Sequence, residues 1–149
     1  MSLLIKTLVA EYNKTKKEFM EKARNALRGA FNEFFDANPE IGQVVWTQYT
    51  PYFNDGDECV FSVHDMFFNF VTFDGEPEDY EDDDADCYGA SFYSYKGETD
   101  PISEQRAAFK NFTHAIRGLP DEIFKDSFGD HVKVIANRDG FNIQEYEHE

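Results

Sequence analysis

The sequence predicts an α+β domain: a mainly antiparallel sheet covered by a long N-terminal helix and a second helical segment. Three observations carry this. Apolar residues recur at helical spacing from Leu4 to Phe35, the same spacing returns from about Ser103, and alternating runs flank Asp55-Gly56 and Asp139-Gly140 as in β-hairpins. With 149 residues, 41% hydrophobic and 17% aromatic, the chain has the size and the core formers of one domain, expected to span residues 1–149.

The first helix is read from Leu4, Ile5, Leu8, Val9, Tyr12, Phe19, Met20, Ala23, Leu27, Ala30, Phe31, Phe34 and Phe35 on one face, with Lys14, Lys16, Lys17, Glu18, Glu21 and Lys22 opposite. Ser2 is the expected N-cap, Asn38-Pro39 the stop, and Gly29 a place for a bend or a close contact. Ile41 to Tyr49 alternates as a strand, with Val45, Thr47 and Tyr49 on one face and Val44, Trp46 and Gln48 on the other. The turn residues Asn54-Asp-Gly56 lead into a second strand, Glu58 to His64. A third, Phe67 to Phe73, is apolar at nearly every position, as a central or well-packed strand would be.

Asp74 to Asp86 holds nine acids and no base, so an exposed acidic loop is expected at about 74–88. Ala90 to Lys96 regains weak alternation. A helix follows from Ser103 to Arg117, capped by Ser103 or Asp100, its apolar face made by Ala108, Phe109, Phe112, Ala115 and Ile116. Gly118 and Pro120 end it, Asp121 to Phe128 adds one or two helical turns, and a hairpin around Asn137-Arg-Asp-Gly140 closes the chain.

Charge narrows the function classes. Thirty acids against 14 bases leave −16, which opposes approach to phosphate backbones and anionic lipid, so neither direct nucleic-acid binding nor membrane binding is expected. The distribution is lopsided: residues 1–37 carry +2 and residues 38–149 carry −18. Two cysteines, Cys59 and Cys87, give no disulfide framework, and no secretory leader or membrane-length apolar run is visible, which fits a cytoplasmic protein.

No catalytic motif emerges, and no cofactor is implied. Nucleophile-elbow, phosphate-loop and dinucleotide fingerprints are absent from the sequence. His64, His114, His131 and His148 lack zinc spacing, and neither the acid loop nor Asn54-Asp-Gly-Asp-Glu58 fits a calcium loop. Cys87 lies beside Asp84 and Asp86, which disfavour a reactive thiolate.

Two segments qualify as partner surfaces. One is the acid run, with Asp79, Glu81, Asp82, Asp83, Asp84 and Asp86, which can present a charge array like that of nucleic acid; its plain alternative is a solvated loop that adds solubility. The other is the aromatic stretch Trp46, Tyr49, Tyr52 and Phe53, whose residue types make good contact anchors; its plain alternative is a set of core and corner residues fixing a hairpin.

Trp46-Thr-Gln-Tyr-Thr-Pro-Tyr-Phe-Asn-Asp-Gly-Asp57, preceded by a long helix, resembles a family of small uncharacterised proteins from tailed phages and bacteria. Phe128-Gly-Asp-His-Val-Lys-Val134, then Arg138-Asp-Gly140 and Glu145-Tyr-Glu-His148, resembles the ending of the same family. The resemblance spans most of the chain and brings no established activity, so it assigns no functional residue. The acidic middle also resembles, in composition alone, acidic phage proteins that block host enzymes by mimicking DNA. It implies a non-enzymatic accessory protein that binds a basic surface of a host protein, in the host cytoplasm if phage-encoded. The alternatives are an interaction or structural module that docks through the aromatic loop or a helix, and an enzyme with an unfamiliar site around His64 or His131.

Overall fold

The computed structural model describes residues 3–51, 56, 59–72, 88–92 and 97–146. Along the chain lie α1 (Leu3–Ala37), β1 (Ile41–Tyr49), β2 (Ser62–Val63), β3 (Phe67–Phe70), α2 (Ser103–Ile116), α3 (Asp121–Phe128), β4 (Val132–Asn137) and β5 (Gly140–Glu145). The class is α+β with an antiparallel sheet, as the residue pattern predicts.

The 35 residues of α1 give a rod about 52 Å long at 1.5 Å per residue. Only its second half enters the core, through Ala23, Leu27, Phe31, Phe34 and Phe35. The helix stops where Asn38 was expected to stop it, with the Asn38 N–H and side-chain amide both donating to the Phe34 carbonyl at 3.0 and 2.9 Å. Arg138 completes the cap from across the fold. Its guanidinium donates to the carbonyls of Phe35 (2.8 Å), Asn38 (3.3 Å) and Ile41 (2.9 Å), placing a cation where the helix dipole is negative. Gly29 makes no close contact, since a β-carbon there would meet nothing within 4 Å. The expected cap at Ser2 lies outside the described residues.

β1 is the central strand. It pairs with β4 along one edge, from Val44↔Ala136 to Gln48↔Val132. Its other edge is shared by β3, from Ile41↔Phe70 to Val45↔Phe67, and β2, at Gln48↔Val63 and Tyr49↔Ser62. β5 pairs with β4 and forms an outer edge.

Gly42 sits at a register shift between β1 and β3, where a β-carbon would come within 2.9 Å of the Val71 Cα. Backbone there approaches backbone too closely for any side chain. The final hairpin forms as expected: Asn137 faces Gly140 across the turn Arg138-Asp139, and the Asp139 N–H donates to Asn137 Oδ1 at 2.8 Å. Gly140 adopts φ 132°, a conformation that glycine enters without strain.

Three expected strands differ. Of the described residues of the expected second strand, Glu58–His64, only Ser62–Val63 pair, and the third strand ends at Phe70 with Val71 and Thr72 in a turn. The third is well packed, with Phe68 and Asn69 fully buried, but β1 takes the central place. Residues 90–92 form no strand, because Arg106 of α2 takes the carbonyls of Gly89 (2.6 Å) and Ser91 (3.0 Å) that a ladder would have used. The remainder of that expected strand, residues 93–96, lies outside the described residues. At the start of α2 neither Ser103 nor Asp100 caps the helix: Ile102 holds the N-cap position with no side-chain capping hydrogen bond, and Asp100 Oδ1 accepts from the Ile102 N–H at 3.1 Å, ahead of the first turn.

All three helices pack on one face of the sheet. Val44 and Trp46 of β1, Phe68 of β3 and Val134 and Ala136 of β4 meet them there, while Val45 and Ile135 pack with Phe67 on the opposite face. This is the face division expected of β1, and it follows from the two-residue period of a strand. The core is built of aromatic rings: Phe31 lies 5.6 Å from Trp46 and 4.8 Å from Phe112, and Phe68 lies 4.8 Å from Phe109.

Candidate interaction surfaces

Along α1 large apolar residues recur at Ile5, Leu8, Tyr12 and Phe19, and the core-facing set Ala23, Leu27, Phe31, Phe34 and Phe35 follows on a face turned by roughly a quarter of the helix circumference at 3.6 residues per turn. The fold covers only the second part. Every residue from Leu3 to Phe19 is exposed, and Leu3, Leu4, Ile5, Leu8, Val9, Tyr12 and Phe19 retain between 50 and 78% of their accessible surface. Single exposed apolar residues are ordinary, whereas several along one stretch of helix make a candidate interaction surface. The helix body here is basic, with Lys6, Lys14, Lys16 and Lys17 against Glu11 and Glu18.

The aromatic stretch divides. Trp46 is fully buried, ringed by Phe31, Phe124 and Phe128, and its indole N–H is consumed by Gln48 at 2.9 Å. It is a core residue and leaves the list of contact residues. Tyr49 points to the other face, half-buried, stacked at 4.0 Å on the His64 ring and 5.7 Å from Tyr146. Tyr52 and Phe53 lie outside the described residues, as do Asp79, Glu81, Asp82, Asp83, Asp84 and Asp86. Among the described residues, Tyr49 is therefore the one member of either predicted surface on an accessible face.

His64 lines a crevice of about 380 Å³ with Thr47, Tyr49, Asp65, Phe67 and Tyr146. His131 is not among its described lining residues; it stands in a tight turn at φ 55°, beside Asp130. Asp130 anchors that turn to the end of β1, accepting the Thr50 N–H (2.8 Å), the Thr50 hydroxyl (2.7 Å) and the His131 N–H (2.9 Å). Partial burial pushes its carboxyl up. The Thr50 hydrogen bonds, His131 charge and His131 N–H outweigh that and hold it below the usual carboxylate value. These contacts tie backbone to backbone and present no free acid–base pair.

A larger concavity, about 550 Å³, opens between α1, α3 and the β4–β5 hairpin, with Arg24, Arg28 and Arg138 in its wall beside Leu27, Phe128 and Phe141. Two of its three cations serve the fold, because Arg24 pairs with Asp126 and Arg138 caps α1. Among the described residues no group of three metal-ligating side chains converges, and no helix is long and apolar enough to cross a membrane.

The exposed row on α1 is a candidate surface whose residues sequence reasoning did not single out, although docking through a helix was among its alternatives, since periodicity identifies an apolar face without saying what covers it. Length was the available signal: an apolar helical period sustained well past 25 residues points to a coiled coil or another helix-pairing role. Comparison with protein-family models, curated proteins and solved structures returns no match.

Proposed function

We propose that this chain is a protein-interaction module that docks through the first half of α1, with the acidic remainder keeping it soluble. One observation carries the reading: ahead of the part of α1 that enters the core, Leu3, Leu4, Ile5, Leu8, Val9, Tyr12 and Phe19 expose large apolar side chains to water. Burying a Leu, Ile, Val or Phe side chain contributes about 1.5–3 kcal/mol, so a partner with a matching apolar groove or helix gains strongly from covering this row.

Immobilised chain and its Leu8→Glu/Tyr12→Glu variant, each challenged with bacterial lysate, test this. Both positions are exposed, so the variant keeps its fold by circular dichroism. A protein, whether another species or a further copy, retained by the natural chain and lost from the variant supports docking. Identical retention by both overturns it.

A second reading rests on charge. With −18 on residues 38–149, the body suits a basic surface of a host protein, possible contacts being the acids from Asp79 to Asp86, in the manner of a DNA-mimic inhibitor. Such binding weakens steeply with salt, whereas docking by the α1 stripe does not.

A further inference from the structure

We propose that the occupant of the α1 stripe is a second copy of this chain, joined in a parallel two-stranded coiled coil over residues 4–19. This rests on the docking reading above and names its partner.

The sequence of the exposed half fits one heptad frame. Ile5, Tyr12 and Phe19 take position a, and Leu8 and Thr15 take position d, so four of the five seam positions are large and apolar. The positions flanking the seam then decide the partner. Leu4, Glu11 and Glu18 fall at g, and Val9 and Lys16 fall at e. In a parallel pair each g residue faces the e residue of the other helix five positions further along. Leu4 thus meets Val9 of the second copy, and Glu11 meets Lys16 of the second copy; two-fold symmetry repeats both contacts. Apolar faces apolar, and acid faces base.

The antiparallel arrangement lacks this match, because it sets g against g and brings Glu11 and Glu18 of the two copies together. The lysines that the parallel seam does not use, Lys6, Lys14 and Lys17, fall at b, c and f, away from the seam. Every residue from Leu3 to Phe19 is exposed, with Asn13, Lys16 and Lys17 lining a concavity shared with Glu122, Lys125 and Asp126 of α3. A parallel pair brings two acidic bodies to the same end of the seam, and their repulsion limits its strength. Salt screens that repulsion as the Debye length falls from about 30 Å at 0.01 M to about 3 Å at 1 M. Association by the apolar seam therefore holds or tightens as salt rises, opposite in sign to contact between acids and bases.

Sedimentation equilibrium of the full chain tests the proposal. The expected result is a mass that climbs with concentration toward twice the 17.3 kDa of the chain and does not fall at high salt. Leu8→Glu abolishes the climb. Glu11→Lys or Lys16→Glu alone weakens association about threefold or more, each placing like charges across the seam twice, and the two together restore it. Thr15→Cys, with Cys59 and Cys87 replaced by serine, forms an interchain disulfide on oxidation, because d faces d only in the parallel pair. A chain monomeric at all concentrations, a dimer dispersed by salt, a double variant no better than the singles, or absence of the crosslink overturns the proposal. A monomer that retains another protein, and loses it with Leu8→Glu, overturns only the choice of occupant; retention unaffected by Leu8→Glu overturns the docking reading as well.

Discussion

The indole N–H of Trp46 donates to the side-chain carbonyl of Gln48, two residues along the same face of β1, at 2.9 Å inside the core. The amide nitrogen of Gln48 in turn donates to the carbonyls of Phe124 (2.9 Å) and Gly129 (2.7 Å), joining the central strand to α3 and to the turn after it. A fully buried glutamine is tolerable because its polar atoms are used.

Gln48→Leu breaks this arrangement on three sides while keeping the apolar volume similar. It strands the indole N–H and withdraws a donor from two carbonyls, for an expected loss of about 3 kcal/mol. Urea unfolding followed by the emission of the only tryptophan measures it; an unchanged midpoint contradicts a structural role for the amide.

One substitution made at two glycines has opposite expected signs. Gly42→Ala drives a β-carbon against the Val71 backbone at 2.9 Å and destabilises by about 1–3 kcal/mol. Gly29→Ala meets nothing within 4 Å in the middle of a helix and stabilises by about 0.5–1 kcal/mol. Thermal melts of both variants give the comparison directly.

Arg106 and Asp100 form a buried ion pair at 2.7 Å, with side chains only 8% and 11% exposed. Through the Gly89 and Ser91 carbonyls the guanidinium also fixes the segment entering from Tyr88. Arg106→Met leaves a buried carboxylate unpaired and costs about 3–5 kcal/mol. Arg106→Met combined with Asp100→Leu recovers part of this, as a double-mutant cycle of denaturation midpoints reveals.

Asp130 makes stability depend on pH. Its folded pKa lies below the 3.8 of the unfolded chain, so its contribution is complete above that value and is lost as pH falls from there through the folded pKa. Asp130→Asn is therefore less stable than the natural chain at neutral pH, and the gap narrows in acid below pH 3.8. A gap that is constant with pH contradicts the carboxylate's role.

Much of the fold was legible because local rules and tertiary packing agree. The stripe from Ala23 to Phe35, the stop at Asn38, the face division of β1 and the Asn137–Gly140 hairpin all follow from period, cap and turn chemistry. The second and third strands were overextended, because alternation and apolar runs continue beyond the few residues that find a partner edge. Arg106 was invisible as the reason that residues 90–92 leave the sheet, since side-chain capture of backbone carbonyls has no sequence period. Trp46 looked equally suited to a contact surface or a core; burial decides for the core. The exposed half of α1 carries an apolar period as its buried half does, and the period does not say that the body covers only the second.

Amide hydrogen exchange across α1 tests docking most directly. In the dilute chain, amides from Leu3 to Phe19 should exchange much faster than those from Ala23 to Phe35, which the core holds. When the chain is concentrated, or saturated with a protein retained through Leu8, protection should rise selectively over Leu3 to Phe19. Protection that stays low there while the partner is bound, or rises elsewhere instead, contradicts docking by this face.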